Sequence, residues 1–196
     1  ALVGEPAPLQ KILDGFRDEY VTRYQAMMRS KIGLATAQAQ DEELVADLDE
    51  LLQAAETDMT IFFRLLAQVS AADDSPNEAL AILKPAFYDT DGLGELLASR
   101  WMEWFERYFN RLGREDRSDS ERAAAMNAVN PKYVLRNYMA QLAIDKADAG
   151  DYALIDELHQ LLKHPYAEQP DQEKWFAKRP EWARHKVGCS MLSCSS

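Results

Sequence analysis

Two neighbouring cysteines are the residues of this sequence best suited to chemistry. Cys189 and Cys194 are separated by four residues, and Cys194 is followed only by Ser195 and Ser196 in the printed sequence. A thiol in such a position is expected on a mobile tail, where oxidants and other thiols can reach it. The spacing allows a local disulfide, a disulfide with a cysteine elsewhere, or an inert tail. Two thiols alone make an incomplete metal site.

Phosphate chemistry has little support in the motifs. The close glycine pair Gly92-Leu93-Gly94 lacks the third glycine, the preceding strand and the following Lys-Ser/Thr of phosphate-binding loops. It predicts a turn before a helix. The histidines, His159, His164 and His185, are not spaced from one another or from a cysteine as metal ligands are, so we expect surface or interface roles for them.

The charge balance excludes some classes of partner. Thirty-three acidic residues against 22 basic ones give a formal charge of −11, which argues against nucleic acid and anionic membranes as partners. No apolar run approaches the roughly 20 residues that span a bilayer. The first residue is Ala1, with no signal pattern after it, so we expect a piece of a longer protein. Two cysteines are too few for a disulfide scaffold, which fits a reducing compartment.

Helical periodicity dominates the chain, and no segment alternates as a strand does. Apolar residues recur at spacings of three and four over 9–28, 44–52, 61–69 and 93–112. The pattern predicts an all-α, irregular multi-helix domain of about eight helices over 1–187. A flexible tail carrying both cysteines is expected over 188–196. A weak internal boundary is expected near 113–120.

Capping signals mark where several helices begin and end. Ser75-Pro76 and Ser118, each followed by a glutamate at the third helical position, predict two helix starts. Asn130-Pro131 predicts the start of a third helix, which Gly150 would close in a left-handed conformation. Asp151 is expected to cap the next helix.

The charged and aromatic clusters have structural interpretations. Leucines interleave with the acids of Asp41–Asp58, which favours a solvated helix face over a cation site. The stripe that contains Trp101 and Trp104 predicts core. Arg136 and Asn137 predict a hydrogen-bond network between helices. Six arginines matched by neighbouring acids predict a salt-bridged helix surface: Arg100, Arg107, Arg111, Arg114, Arg117 and Arg122.

Several blocks of the sequence resemble one family. They are Lys31–Leu34, Asp58–Arg64, Met126–Tyr138, Ala143-Ile144, Gly150-Asp151, His164–Tyr166, Arg179–Ala183 and Ser193–Ser196. In these blocks the chain resembles the selenoprotein O family, the pseudokinase-like protein adenylyltransferases. The resemblance covers nearly the whole chain, and the block from Asn130 to Asn137 and the Cys-Ser-Ser end are its most specific parts. The approach to the tail from Cys189 to Leu192 departs from the family pattern.

The resemblance implies that this chain is the C-terminal helical part of a larger enzyme. Family members bind ATP and magnesium in a kinase-like domain and transfer AMP to serine, threonine or tyrosine hydroxyls of protein substrates. Their catalytic residues lie upstream of the matched region, so none is carried onto this chain, which is expected to bind no cofactor itself. Its expected partner is the kinase-like domain. A bacterial-type member with cysteine in place of selenocysteine implies a cytoplasmic location.

The resemblance gives one functional position, Cys194. Many eukaryotic members have selenocysteine there, and it is thought to serve a redox role, so Cys194 and, less securely placed, Cys189 are the redox candidates. Two other functions stay open from the residues alone. The chain could be a non-enzymatic helical module that binds another protein, or a thiol redox protein in which Cys189 and Cys194 cycle.

Overall fold

The computed structural model describes residues 7–72, 75–89, 94–187 and 189. Within these residues the fold is all-α, as predicted, and contains no sheet, only an isolated bridge between Thr57 and Phe87. The α-helices are α1 (Ala7–Lys31), α2 (Asp41–Ala54), α3 (Met59–Leu66), α4 (Pro76–Leu83), α5 (Glu95–Leu112), α6 (Asp119–Val129), α7 (Asn137–Asp148), α8 (Ala153–Lys163) and α9 (Glu181–Arg184). Short 3₁₀ turns occupy Lys84–Ala86 and Pro170–Trp175. No helix in this part of the chain is both long and apolar enough to cross a bilayer.

Most of the predicted caps are present. The Ser75 hydroxyl accepts a hydrogen bond from the Glu78 amide at the start of α4. Ser118 and Glu121 form a reciprocal capping box at the start of α6. Gly150 follows α7 with φ +85°, the left-handed conformation that glycine adopts without strain. Local sequence therefore sets these boundaries.

The predicted helix start at Asn130-Pro131 is wrong. Asn130 instead ends α6, and α7 begins only at Asn137. The intervening backbone is not helical, because distant groups bind it. The amides of Lys132 and Tyr133 both donate to the carbonyl of Pro165, at 2.8 and 3.0 Å. These contacts outweigh the local preference for a helix at an Asn-Pro pair.

The first hydrophobic core lies between α2, α3, α4 and α5. Its centre is the aromatic stripe of α5, which is fully buried, as predicted: Trp101, Trp104, Phe105 and Tyr108. The Trp104 indole donates to the carbonyl of Leu44 at 2.9 Å, and the Tyr108 hydroxyl donates to that of Ile32 at 2.7 Å. This core draws all its fully buried members from residues 28–126.

A second, smaller core contains only residues that follow the first core in sequence. It includes Tyr133, residues of α7 and α8, Trp175, Ala183 and Cys189. Phe176 is partly buried and packs against both cores. The chain therefore changes from one core to the other between Met126 and Tyr133.

Two arginines predicted on the surface are buried. Arg111 donates to Asp41 at 2.6 Å and to Glu115 at 2.7 Å, and the side chains of all three are almost completely buried. Arg122 is also buried and pairs with Asp119 at 3.1 Å. The acids near Arg111 in sequence suggested an exposed face. In the fold, Arg111 instead packs against the start of α2, where Asp41 accepts its hydrogen bond. Arg100 and Arg107 do form surface pairs, with Glu50 and Asp47 of α2.

The first two-thirds of α1 extend away from the body. Its buried residue is Met28, near the C-terminal end, where α1 contacts α2 and α6. The apolar stripe that predicted the helix is exposed in this chain: Leu9, Ile12, Leu13, Phe16, Tyr20 and Met27. The pattern correctly predicted the helix, and none of the described residues covers its apolar face.

Replacing Gly33 by alanine is expected to destabilise the protein by about 2–3 kcal/mol. Gly33 has φ +82°, and an added Cβ would lie 2.7 Å from Cγ of Arg122 and 2.8 Å from the sulfur of Met126. Arg122 cannot easily move because Val69 and Asp119 hold its guanidinium. Urea unfolding followed by circular dichroism measures the difference.

Gly15→Ala is the matched control. Gly15 lies inside α1 with open space around its missing Cβ, so alanine should be neutral or should stabilise the helix by up to about 1 kcal/mol. Equal effects of the two glycine substitutions would show that the close approach of Arg122 and Met126 to Gly33 has no energetic consequence.

Candidate functional site

The block 130–137 lies between the two cores, and we call it the joint. At its start, the side-chain amide of Asn130 donates to the carbonyl of Lys31 at 2.8 Å. The buried Arg64 of α3 donates to the carbonyls of Asn127 and Asn130 at 3.4 and 3.3 Å, and pairs with Glu168. An arginine of the first core thus binds the backbone that leads into the second.

Lys132 and Tyr133 connect the joint to the turn before Trp175. The Lys132 ammonium pairs with Glu168 at 2.9 Å and with Glu173, and lies 5.2 Å from the centre of the Phe176 ring. Burial alone would lower the pKa of Lys132, but the hydrogen bonds that its ammonium donates to Glu173 and Glu168 outweigh burial and raise the pKa above its ordinary value. Lys132 is therefore held as a cation in a largely buried position.

Arg136, near the end of the joint, forms a bidentate ion pair. Its guanidinium donates to both carboxylate oxygens of Asp58, with Nη2 to Oδ1 at 2.9 Å. Asp58 is buried and also caps α3 by accepting from the Ile61 amide at 3.1 Å. Such planar bidentate pairs are among the stronger and more directional ones in proteins. Arg136 therefore joins the first turn of α3 to the start of α7.

The electrostatic environment of Arg136 favours its charged form. Burial tends to lower the pKa of Arg136, but the hydrogen bonds and charge of Asp58 raise it above the ordinary value. Burial raises the pKa of Tyr88, whose hydroxyl accepts from the Arg179 amide at 3.1 Å. The hydrogen bond from Arg184 lowers the pKa of Glu56.

A small cavity of about 270 Å³ opens beside the end of the joint. It is lined by Arg136, Asn137, Tyr138, Arg179 and Cys189. Asn137 donates to the carbonyl of Cys189 at 3.0 Å, and the Cys189 amide donates to the carbonyl of Lys186 at 3.1 Å. The predicted network role of Arg136 and Asn137 is confirmed, and its partners are Asp58 and the backbone of Cys189.

The structure places one of the two redox candidates. Cys189 is a free cysteine buried in the second core, and Cys194 lies outside the described residues. The three histidines are exposed, as predicted. In the described part of the chain no three His, Cys, Asp or Glu residues lie together as a metal site. The two guanidinium groups that line the cavity are paired with carboxylates, Arg136 with Asp58 and Arg179 with Glu56.

Known proteins are similar to this chain over the joint and over the helices on both sides of it. The family described as "Protein adenylyltransferase SelO" matches residues 1–163, which include the joint and both sides of the first core. The chain belongs to the SelO family. The match ends at Lys163, the last residue of α8.

Curated relatives extend the similarity to the whole chain. A protein named "Protein nucleotidyltransferase YdiU" from Flavobacterium johnsoniae is 50% identical over 195 residues, and the aligned region is 100% of this chain but 37% of the relative. Proteins of the same name from Rhodopirellula baltica and Xanthomonas campestris pv. campestris are 45% and 44% identical, over 38% and 37% of their lengths. The chain thus spans less than two-fifths of the length of these SelO relatives.

Sequence reasoning missed the acids that complete the joint. Asp58 was assigned to a solvated acidic helix face, yet it is buried, and Glu168 was not identified as a partner of a buried cation. The signal was present in the basic residues, since Lys132 and Arg136 interrupt an apolar block and a buried cation requires an anionic partner. The acids that pair with Lys132 and Arg136 are Glu168 and Asp58, which lie far from them in sequence.

The pair between Lys132 and Glu168 predicts a dependence of stability on pH. The hydrogen bond from Lys132 lowers the pKa of Glu168 below its ordinary value of 4.5 in the folded protein. The unfolded chain therefore binds the proton first as pH falls. The stabilisation is complete above about pH 5 and is lost as pH falls through the folded-state pKa.

Glu168→Gln tests this dependence. We expect the variant to lose less stability than the parent protein between pH 5 and pH 3, by less than about 1 kcal/mol because the Glu168 side chain is 64% exposed. Urea unfolding at several pH values measures it. Glu181→Gln, which removes an exposed acid on α9, is the control, and the same flattening in both variants would contradict the assignment to Glu168.

Proposed function

We propose that this chain is the C-terminal helical part of a protein adenylyltransferase whose catalysis resides in an upstream kinase-like domain. In that reaction a serine, threonine or tyrosine hydroxyl of a protein substrate attacks the α-phosphorus of ATP, with magnesium bound. The new bond is between that oxygen and phosphorus, pyrophosphate leaves, and the hydroxyl proton is released. The helical part supports the catalytic domain and presents a cysteine for redox regulation.

One observation carries the proposal. The whole chain aligns with relatives named as nucleotidyltransferases at up to 50% identity, yet it covers 37% of the relative's length. Most of such an enzyme would lie outside this chain. The buried charges of the described residues support the same division, because Asp41, Asp58, Arg111 and Arg136 are paired with one another inside the fold. Groups committed in this way serve folding and are poorly placed for binding nucleotide.

Two measurements test the division of labour. Calorimetry of this chain with ATP, with and without magnesium, is expected to show no binding. Removing residues 1–196 from the full-length protein is expected to abolish AMP transfer, measured with ATP labelled on the α-phosphate. Saturable, magnesium-dependent binding to this chain, or unchanged AMP transfer after the deletion, would contradict the proposal.

The redox part of the proposal concerns Cys194. Its thiol and a second thiol would form a disulfide, losing two electrons and two protons, with a peroxide as the oxidant that is reduced to water or an alcohol and water. Cys189 is the second candidate thiol in the chain, although its burial slows direct attack by an oxidant. A cysteine in the kinase-like domain is the other possible partner.

Cys194→Ser is expected to make AMP transfer by the full-length protein insensitive to hydrogen peroxide, whereas the parent protein changes activity and recovers with dithiothreitol. Cys189→Ser identifies the partner. If Cys189→Ser also makes AMP transfer insensitive to hydrogen peroxide, and oxidation lowers the mass of the parent protein by two hydrogens, the disulfide is local. Retained sensitivity indicates a partner elsewhere. Equal responses of Cys194→Ser and the parent protein would contradict a redox role for Cys194.

A further inference from the structure

A long apolar surface that no other described residue covers lies on α1. Phe16 is 65% exposed and Tyr20 is 58% exposed, and both belong to the stripe defined above. The rings of Phe16, Tyr20 and Tyr24 follow one another at 6.3 and 6.2 Å along the helix. Exposed apolar patches of this kind on a soluble protein mark sites that another surface covers.

The stripe has the form of an interface. Leu9, Leu13, Phe16 and Tyr20 recur at spacings of four and three, which places them on one side of a helix of 25 residues. At about 1.5 Å per residue this helix is about 37 Å long. Arg17, Glu19 and Arg23 border the stripe, giving the apolar centre and charged rim that protein interfaces show. A concave surface of about 630 Å³ lies beside Phe16, Tyr20 and Met27.

We infer that the apolar face of α1 is the docking surface for the part of the same polypeptide that precedes residue 1. The inference rests on the proposed function. More than three-fifths of the length of the relatives lies outside this chain, and under that proposal it joins the chain at the free end of α1. A segment tethered there meets the stripe at high effective concentration, which favours it over any partner in solution.

The C-terminal end of α1 connects the docking surface to the rest of the fold. There α1 contacts α2 and α6, and the carbonyl of Lys31 accepts a hydrogen bond from the side-chain amide of Asn130 in the joint. A catalytic domain seated on the exposed part of α1 is therefore connected to both cores through one continuous helix. This is the route by which the helical part would support the catalytic domain.

Two double variants of the full-length protein test the inference, each with two glutamates on a different side of α1. Phe16→Glu/Tyr20→Glu places two charges in the stripe, and the matched control Thr22→Glu/Ala26→Glu places two charges with the same spacing on another exposed side of the helix. Glutamate is a good helix former, so neither pair breaks α1. Emission from the buried Trp101 and Trp104 verifies that the first core is intact in each variant.

The readout is tryptic cleavage after Lys11 and Arg17, which are exposed in this chain. Docking protects both sites, so cleavage of the parent protein and the control should be slow and alike, while Phe16→Glu/Tyr20→Glu should be cut about tenfold faster or more. Equal rates in all three proteins would overturn the inference. So would a parent protein that sediments as a dimer and becomes monomeric only in the stripe variant, because the occupant would then be a second copy.

AMP transfer measured on the same samples separates the two proposals. Protection of α1 in a full-length protein that transfers no AMP would overturn the proposed function while leaving the docking surface in place. AMP transfer by a protein whose α1 is cleaved at the same rate in all three forms would overturn the docking surface alone.

Discussion

Replacing Arg136 by methionine is expected to destabilise the protein by about 3–5 kcal/mol, because it leaves the carboxylate of Asp58 buried without its cation. The Asp58 side chain is 3% exposed. Its remaining partners are the Ile61 amide and the Tyr88 hydroxyl, and the latter is 3.5 Å away. These neutral donors replace a bidentate guanidinium only in part. Urea unfolding monitored by circular dichroism gives the free energy of unfolding.

Arg184→Met is the matched control for Arg136→Met. Arg184 pairs with Glu56, but the Glu56 side chain is about half exposed, so water replaces the lost partner and the expected loss is much smaller than that of Arg136→Met. The double variant Asp58→Asn/Arg136→Met should lose less stability than the sum of the two single variants, since both act on one pair. Similar losses in Arg136→Met and Arg184→Met would show that burial of the Asp58 pair is energetically unimportant.

Trp101→Ala is expected to have an effect of similar size, about 3–5 kcal/mol, through a cavity in the first core. The Trp101 ring is completely buried and packs on Phe62 and Phe87 with centroid distances of 5.7 and 5.5 Å. These neighbours come from α3 and from the segment after α4, so collapse around the cavity would have to move several elements. Thermal and urea unfolding measure the loss.

The exposed tryptophan of α9 provides the comparison. Trp182 is 45% exposed, packs edge-on against Tyr138 and has the Lys186 ammonium 5.5 Å from its ring centre. Because the side chain is largely exposed, Trp182→Ala should change stability by less than about 1 kcal/mol. Comparable losses in Trp101→Ala and Trp182→Ala would mean that the aromatic stripe of α5 is not the centre of the fold.

Local patterns predicted the parts of the fold that local physics controls. The stripe containing Trp101 predicted both the helix and its buried side, since one face of a helix repeats every three to four residues. Ser118 and Gly150 marked helix ends because their side chain or backbone freedom acts within a few residues. The joint differs, because its non-helical backbone after Asn130 depends on Pro165 and Arg64, which no local pattern reveals.

Burial of charge was the other property that sequence left undetermined. Arg111 and Arg107 have the same kind of acidic neighbours in sequence, yet Arg111 is buried against Asp41 and Arg107 is exposed. Which of them faces the core depends on the packing angle between α2 and α5. Cys189 is a similar case, since its burial in the second core follows from contacts with α7 and α9 and could not be read from its position in the chain.

The separation of the two cores along the sequence also gives the order in which the molecule is built. During synthesis the first core can close once the residues through Met126 are available, whereas the second must await Ala183 and Cys189. In that interval Arg64 and Asp58 face water, which solvates both charges until the joint arrives to pair with them. The two cores are therefore expected to associate through charges that stay hydrated until the joint has been synthesised.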